Sequence, residues 1–419
     1  MSEKTGNSIA KPQLPTHARS RPAAPLICDK DSADATLRIV ILAHGLRVGG
    51  GLSVGQNMIA ALGHVAPEHA YLVTIPMGLG YEEICGRIPK CETVVYGHAG
   101  RLKRLYYESF GIPSIVRSFR PDVLLALGGF GLVNPPCPQA VLIQMPHLFY
   151  SSKHYGKLTI ESKLNVLYHK RRFRRQLKNT QLVLVQTGVV QDRLRAVYGY
   201  QGQTAICPNA VSAFSQDTGP RPAMPSPLVP YSKHTKLFFL TKYYAHKNLE
   251  ILLQLYRDFG NELADVVTVT TVSPDHYAYA PLFLRSVQRM GLGNSIINVG
   301  PLKQCELAAY YRNCQAMFLP TFLESFSGTY LEAMHFGLPV LTSDLDFAHV
   351  VCGDAAIYFD PWNAASIKEA ILRLRNNPEL SQELVSKGKT RLQTNFRSWD
   401  EIATDAVCLL EQIAGCGAR

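Results

Sequence analysis

The feature that most narrows the fold is an alternation of strand-like and helix-like segments that runs through the chain twice. Apolar runs of strand length stand at L-R-I-V-I-L-A-H (37–44), Y-L-V-T-I (71–75), T-V-V-Y (93–96), D-V-L-L-A-L (122–127), A-V-L-I-Q-M (140–145) and Q-L-V-L-V-Q (181–186), with helical stretches between several of them. Runs this short and this uniformly apolar suit buried strands. The alternation stops at S-A-F-S-Q-D-T-G-P-R-P-A-M-P-S-P-L-V-P-Y-S-K (212–233), whose five prolines exclude a helix or a central strand.

It then restarts. K-L-F-F-L-T (236–241), V-V-T-V-T-T-V (266–272), S-I-I-N-V (295–299), A-M-F-L-P (316–320) and L-P-V-L-T (338–342) read as strands. Between them N-L-E-I-L-L-Q-L-Y-R-D-F, E-L-A-A-Y-Y-R-N-C and a segment from Gly328 to Phe336 read as helices, and the tail from Ala365 is mostly helical. A chain of 419 residues with 47% hydrophobic content can supply two cores. The expectation is an α/β protein of two doubly wound domains, 37–213 and 236–398, with a linker at 214–235 and a last helix at 399–419. Residues 1–36, rich in Pro, Ser, Ala and charge, read as a disordered tail.

The formal net charge of +11 suits an anionic partner without choosing among membrane, nucleic acid and phosphorylated substrate. Ten cysteines form no C-x-x-C pair, which points away from zinc and toward a reducing, cytoplasmic setting. The first residues lack the apolar run of a secretory signal, and no run reaches the ~20 residues of a membrane helix.

Two places could bring backbone N–H groups to an anion. The first is G-L-R-V-G-G-G-L-S-V-G, a glycine-rich turn between strand and helix that contains Gly49 and Gly50. It lacks the G-x-G-x-x-G spacing and can equally be a tight turn. The second is T-F-L-E-S-F-S-G-T-Y-L-E, where Glu324 and Glu332 flank Ser327, Gly328 and Thr329 at the expected start of a helix. The first N–H groups of a helix carry a partial positive charge and can hold a phosphate. Carboxylates beside such a cradle suit sugar and ribose hydroxyls. Two other readings stand: Glu324 caps the helix while Glu332 faces solvent, or the two acids are a glycosidase pair.

The residues here resemble a known family. E-S-F-S-G-T-Y-L-E resembles the E-x7-E signature of retaining glycosyltransferases of the GT-B fold, family 4, and A-M-H-F-G-L-P-V-L-T-S-D and G-D-A-A-I-Y-F-D-P are similar to its continuation. The likeness is strong over 236–375 and weaker in the first half. It implies a GT-B architecture, with a nucleoside-diphosphate sugar mainly on the second domain and a saccharide or lipid-linked acceptor mainly on the first. L-T-K-Y-Y-A-H-K-N (240–248) is similar to the family's G-R-L-x-x-x-K-N, so Lys242, in place of Arg, and Lys247 are implied to neutralise the donor diphosphate. By the same resemblance Glu324 holds the sugar, Glu332 the ribose, and Ser327, Gly328 and Thr329 the diphosphate. Gly49 and Gly50 match the family's glycine loop, which faces the diphosphate and the acceptor; His44 and Arg47 flank it. Pro301 and Leu302 would meet the base, and His147 would stand at the cleft edge near the reaction centre. Asn209 reads mainly as a turn residue. The implied mechanism is a same-face attack in which the leaving phosphate takes the acceptor proton. It uses no protein nucleophile, no cofactor beyond the donor and no essential metal. A GT-B nucleotide-sugar epimerase and a catalytically silent saccharide-binding relative are the alternatives.

Three segments depart from simple readings. Asp344-Leu345-Asp346 spells D-x-D, a metal motif of a different glycosyltransferase fold, and reads here as loop chemistry. His349 and Val350 stand where the family often has Glu. The basic run Y-H-K-R-R-F-R-R-Q-L-K (168–178) reads first as a solvated helix and second as contact with anionic lipid through Lys170 to Lys178, at the inner membrane face. No nucleic acid partner is expected from it, because no stacking aromatics are interleaved.

Overall fold

The computed structural model describes residues 36–97, 100, 106–211 and 222–416. The expected tail, all but its last residue, the linker residues 214–221 and residues 417–419 of the expected last helix lie outside them. The described residues form two wholly parallel sheets. The first contains β1 (Arg38–Leu42), β2 (Ala70–Pro76), β3 (Cys91–Tyr96), β4 (Val123–Ala126), β5 (Gln139–Ile143), β6 (Leu182–Val185) and β7 (Gln203–Ile206), in the order β3-β2-β1-β4-β5-β6-β7. The second contains β8 (Thr235–Phe239), β9 (Val266–Thr270), β10 (Ile296–Asn298), β11 (Ala316–Leu319), β12 (Val340–Ser343) and β13 (Ala356–Phe359), in the order β10-β9-β8-β11-β12-β13.

Each sheet starts in its middle, grows to one edge, then jumps back and grows to the other. The reversal falls between β1 and β4 in the first sheet and between β8 and β11 in the second. At such a switch point the loops leaving the carboxyl ends of neighbouring strands diverge, and a crevice opens. The two-domain doubly wound architecture is thus present, and it is the GT-B arrangement.

Strand burial explains which strands were legible. Central strands β4, β5, β6, β9, β11 and β12 are buried along their whole length. Edge strand β7, Q-T-A-I, is only half covered and carries no apolar run. The linker differs from expectation in one respect. Ser226–Tyr231 forms a short 3₁₀ turn despite Pro227 and Pro230. The chain enters and leaves the turn through bonds from the Leu228 N–H to the Pro225 carbonyl (2.8 Å) and from the Ser232 N–H to the Val229 carbonyl (3.2 Å), neither of which needs a proline N–H. The buried Lys236 ammonium fixes this turn by donating to the carbonyls of Tyr231 (3.1 Å) and His234 (2.8 Å).

The helix Trp399–Cys416 belongs spatially to the first sheet. Ile402, Ala406, Leu409, Leu410 and Ile413 recur on one helical face and share a core with Ile39, Ile41, Met58 and Leu62. Ser398 and Glu401 cap its start reciprocally.

Candidate active site

The two sheets face each other through loops at their carboxyl ends. Ser325, after β11, places its Oγ 2.7 Å from Gln186 Oε1, after β6, and 3.1 Å from the Gln144 carbonyl, after β5. Gln186 in turn donates to Asn209 Oδ1 at 2.7 Å. Asp346, after β12, accepts from Tyr150 Oη at 3.0 Å and pairs with Arg193. Tyr277 Oη meets the Thr159 N–H at 3.1 Å and Ser162 Oγ at 2.9 Å. All three contacts cross from one domain to the other, so the switch-point crevices open toward one shared cleft.

In the second domain the crevice is lined by the loops after β8 and β11, and these are stitched together. Asn248, in the left-handed region at φ 59°, donates to the carbonyls of Pro320 (3.1 Å) and Pro361 (2.7 Å). Asn is one of the few side chains that tolerate that backbone. The Phe322 N–H donates to the His246 carbonyl at 2.8 Å. The stitching sets Lys247 opposite Glu324, and the two form an ion pair with only 16% and 12% of their side chains exposed. Lys242 stands in the same loop, half-buried. Its ammonium has no hydrogen-bond or ion-pair partner among the described residues, and burial lowers its pKa. A desolvated cation without a counter-charge is an unfinished interaction, and an anion completes it.

The helix Gly328–Phe336 starts beside this pair. Ser327 is its N-cap residue, but its hydroxyl bonds Thr329 Oγ1 at 2.7 Å and caps no backbone N–H. No acidic residue lies in the first turn, and a side chain added at Gly328 would meet only open space. The first N–H groups therefore end at the cleft without a side-chain cap. This removes the bland reading of the motif. Glu324 holds Lys247 and does not cap the helix; Glu332 is buried, not solvent-facing, and accepts from Tyr311 Oη at 2.5 Å.

In the first domain the switch-point loop leads into the helix Gly49–Val65. Gly49 has φ 57°, which explains a glycine there, and no side chain caps the helix. Gly55 is small for another reason. A Cβ would lie 2.4 Å from Tyr81 Oη, which donates to the Leu46 carbonyl and pins the loop from beneath. His44 and Arg47 are held within the first domain, His44 by Thr74 Oγ1 at 2.9 Å and Arg47 by the Tyr96 carbonyl at 3.3 Å.

His147 lies in the 3₁₀ turn Pro146–Leu148 after β5. Its Nε2 is 3.2 Å from His169 Nδ1. Burial first, then His169 and Lys170, push its pKa down to about 3, so the ring is neutral at physiological pH. Across the cleft His246 is held well below the usual range by burial, by Lys247 and by His147. The shared influence places His147 in electrostatic reach of the Lys247 loop. Pro301 and Leu302 follow β10 at the far edge of the second sheet, beyond β9, and make no part of the Lys247–Glu324 cluster.

The carboxylates of Asp344-Leu345-Asp346 are both engaged: Asp344 pairs with His349, and Asp346 with Arg193 across the cleft. His349 also stacks on Tyr358 with ring centroids 3.9 Å apart. Among the described residues no group of three or more His, Cys, Asp and Glu side chains could hold a metal ion. Asn209 is more than a turn residue, because it anchors the Gln186–Ser325 link. Sequence reading also passed over Gln144, Gln186, Arg193, Tyr150 and Tyr277. These residues act across the cleft, and no local pattern marks them.

The fold and the facing carboxyl ends define a GT-B protein with an anion-ready crevice in its second domain. Residues 221–391 match the family model of glycosyl transferases group 1. A capsular polysaccharide biosynthesis glycosyltransferase, CapM of Staphylococcus aureus, is 26% identical over 112 residues; the match spans 26% of this chain and 30% of that protein. A sucrose-phosphate synthase from Thermosynechococcus elongatus is similar in structure, with TM-score 0.66 and 17% identity over 91% of this chain and 100% of that one. HepE of Anabaena, solved with UDP and glucose, has TM-score 0.65 and 14% identity over 90% and 100%. A Listeria monocytogenes protein named for a UDP-N-acetylglucosamine 2-epimerase has TM-score 0.57 and 13% identity over 89% and 95%.

Proposed function

We propose that this protein is a retaining glycosyltransferase of family 4, moving a sugar from a nucleoside-diphosphate donor to a saccharide or lipid-linked acceptor in polysaccharide or glycoconjugate synthesis. The observation that carries this reading is the second-domain crevice, where one loop carries both Lys242, unpartnered among the described residues, and the Lys247–Glu324 pair, beside an uncapped helix end. The match of residues 221–391 supports the class. The UDP and glucose named with HepE support the kind of donor.

In this mechanism the amides of Gly328 and Thr329, with Lys242 and Lys247, receive the diphosphate, and Ser327 lines the same helix end. Lys247 exchanges Glu324 for the phosphate, which frees the Glu324 carboxylate to accept from sugar hydroxyls. Glu332 meets the ribose, Pro301 and Leu302 the base, and Gly49 and Gly50 the far side of the diphosphate. The bond from the sugar C1 to the leaving phosphate oxygen breaks. The bond from C1 to the acceptor oxygen forms on the same face. The acceptor proton passes to the departing phosphate, so the diphosphate leaves with its negative charge partly neutralised, and the two lysines offset the remainder. Neutral His147 can hydrogen-bond to the sugar without adding charge at the reacting carbon. No metal is required, because cationic side chains and helix amides occupy that role.

The test is release of nucleoside diphosphate from a panel of donor sugars, with and without saccharide acceptors, for the wild type and Glu324→Ala. Acceptor-dependent release that vanishes in the variant is the expected result. Product anomers that invert the donor configuration by NMR would overturn the retaining assignment.

A further inference from the structure

The helix Ile160–Gln176 buries Phe173 and Gln176 against the first domain. Its opposite face is largely uncovered by the described residues and of unusual composition. Ile160 is 78% exposed, Leu164 62% and Leu167 44%, at the i, i+4, i+7 spacing that aligns them on one stripe. Arg171, Arg174 and Lys178 continue that stripe, and Lys163 flanks it. Glu161 is the only exposed acid on the helix. Beside it, a cavity of about 370 Å³ lies between this helix, the helix Ile112–Phe119 and the loop 131–134. Arg117, Arg171, Arg172 and Arg175 line it. Its one acid, Glu108, is neutralised by Arg172 at 2.5 Å, whereas Arg117, Arg171 and Arg175 have no ion-pair partner among the described residues. Two exposed rings, Tyr106 and Phe110, stand on the segment that Glu108 ties to this helix.

We propose that this face seats the protein on an anionic lipid bilayer. Ile160, Leu164 and Leu167 enter the boundary between headgroups and acyl chains, and the arginines receive lipid phosphates at the mouth of the cavity. Aliphatic side chains next to uncompensated basic ones are the composition of a helix lying in the membrane interface. No described helix is long and apolar enough to cross a membrane, so the contact is peripheral. A second copy of the chain is a poor occupant, because a two-fold contact through this face would set arginines against arginines. Nucleic acid fits less well, since the stripe itself is aliphatic and the exposed rings of Tyr106, Phe110 and Tyr168 lie off it. The face also lies next to the acceptor side of the cleft. His169 of this helix meets both His147 and Phe130, and Arg172 lies 4.8 Å over the Phe130 ring. A headgroup held by Arg172 would be linked to His147 through the rings of Phe130 and His169.

The experiment is flotation of the full chain with vesicles of mixed phosphatidylglycerol and phosphatidylcholine, against vesicles of phosphatidylcholine alone. The wild type should float with the anionic vesicles and stay behind with the neutral ones. Leu164→Asp combined with Ile160→Asp should abolish flotation at any salt concentration. Arg171→Glu combined with Arg175→Glu should weaken it by more than about tenfold, since each basic residue near an anionic surface contributes roughly fivefold. All four side chains are exposed, so circular dichroism should show the folded state unchanged, and Leu164→Ser serves as a milder variant. Equal flotation of wild type and both double variants would overturn the proposal. So would failure of the wild type to float, or binding to a single-stranded oligonucleotide in preference to anionic vesicles. The readout is physical and independent of sugar transfer, so it can fail without touching the catalytic reading.

Discussion

Asp346 of the second domain forms an ion pair with Arg193 of the first, and Tyr150 Oη, also of the first domain, donates to the same carboxylate. The pair is about a third exposed on each side, at 32% and 28%, so solvent screens it and it contributes about 1 kcal/mol. Its position matters more than its strength, because it bridges two domains whose closure sets the cleft. Asp346→Ala should leave the unfolding midpoint of each domain nearly unchanged and lower kcat roughly fivefold, the effect of about 1 kcal/mol on closure. Small-angle scattering should show a larger radius of gyration for the variant without donor. Arg193→Ala should behave alike, and the double variant should lose no more than either single one.

The Lys247–Glu324 pair yields a second prediction. Removing one partner of a well-buried pair leaves the other charge uncompensated, whereas removing both does not. Lys247→Ala should therefore melt at a lower temperature than Lys247→Ala with Glu324→Ala, although it carries fewer substitutions. Activity should follow the opposite logic. Either single loss removes a group aimed at the reacting donor and should reduce kcat by about a hundredfold or more. Thermal unfolding and steady-state kinetics on the three variants separate the two effects.

The engaged D-x-D carboxylates give a third. Asp344 is hydrogen-bonded to His349 through one oxygen and Asp346 pairs with Arg193, so a cation beside the donor would have to compete with these contacts. Activity measured after exhaustive treatment with EDTA should remain within about twofold of the untreated protein, where a reaction relying on a metal for phosphate charge would lose several kcal/mol of stabilisation. Loss of activity restored by Mg²⁺ or Mn²⁺ would reverse this expectation.

Much of this architecture could be read from the chain, and the exceptions have physical causes. Strands such as V-L-L-A and V-V-T-V-T are buried on both faces, so their composition alone marks them. The helix bounds Gly328–Phe336 were legible because Gly337, at φ 71°, ends the helix where a glycine cap would. Edge strand β7 escaped because a half-covered strand needs no continuous apolar run, and β13, though apolar, is only four residues long. The Lys247–Glu324 contact joins residues far apart in sequence, and only the parallel order of β8 and β11 brings them together. Ser325 shows the deepest limit. Within its own motif it is one more small residue of a turn. Its bond to Gln186 exists only because a second domain faces it.

His147 provides the last prediction, from the direction of its pKa shift. Its folded value of about 3 lies below the ordinary 6.5, with burial, His169 and Lys170 as the causes. Between those values the unfolded chain binds a proton that the folded chain refuses. The stability tied to this ring is therefore complete above about 6.5 and is lost as the pH falls toward about 3. At pH 5 the loss is on the order of 2 kcal/mol relative to pH 7. His147→Gln cannot take that proton, while His169, Lys170 and the similarly depressed His246 remain in both proteins. Denaturant unfolding should show the wild type losing more stability than the variant between pH 7 and pH 5, so the gap between them changes by about that amount. Parallel curves would mean that His147 already carries its proton in the folded state. In that case the neutral-imidazole role at the sugar would have to be abandoned, because a charged ring there would repel the oxocarbenium character that develops at C1.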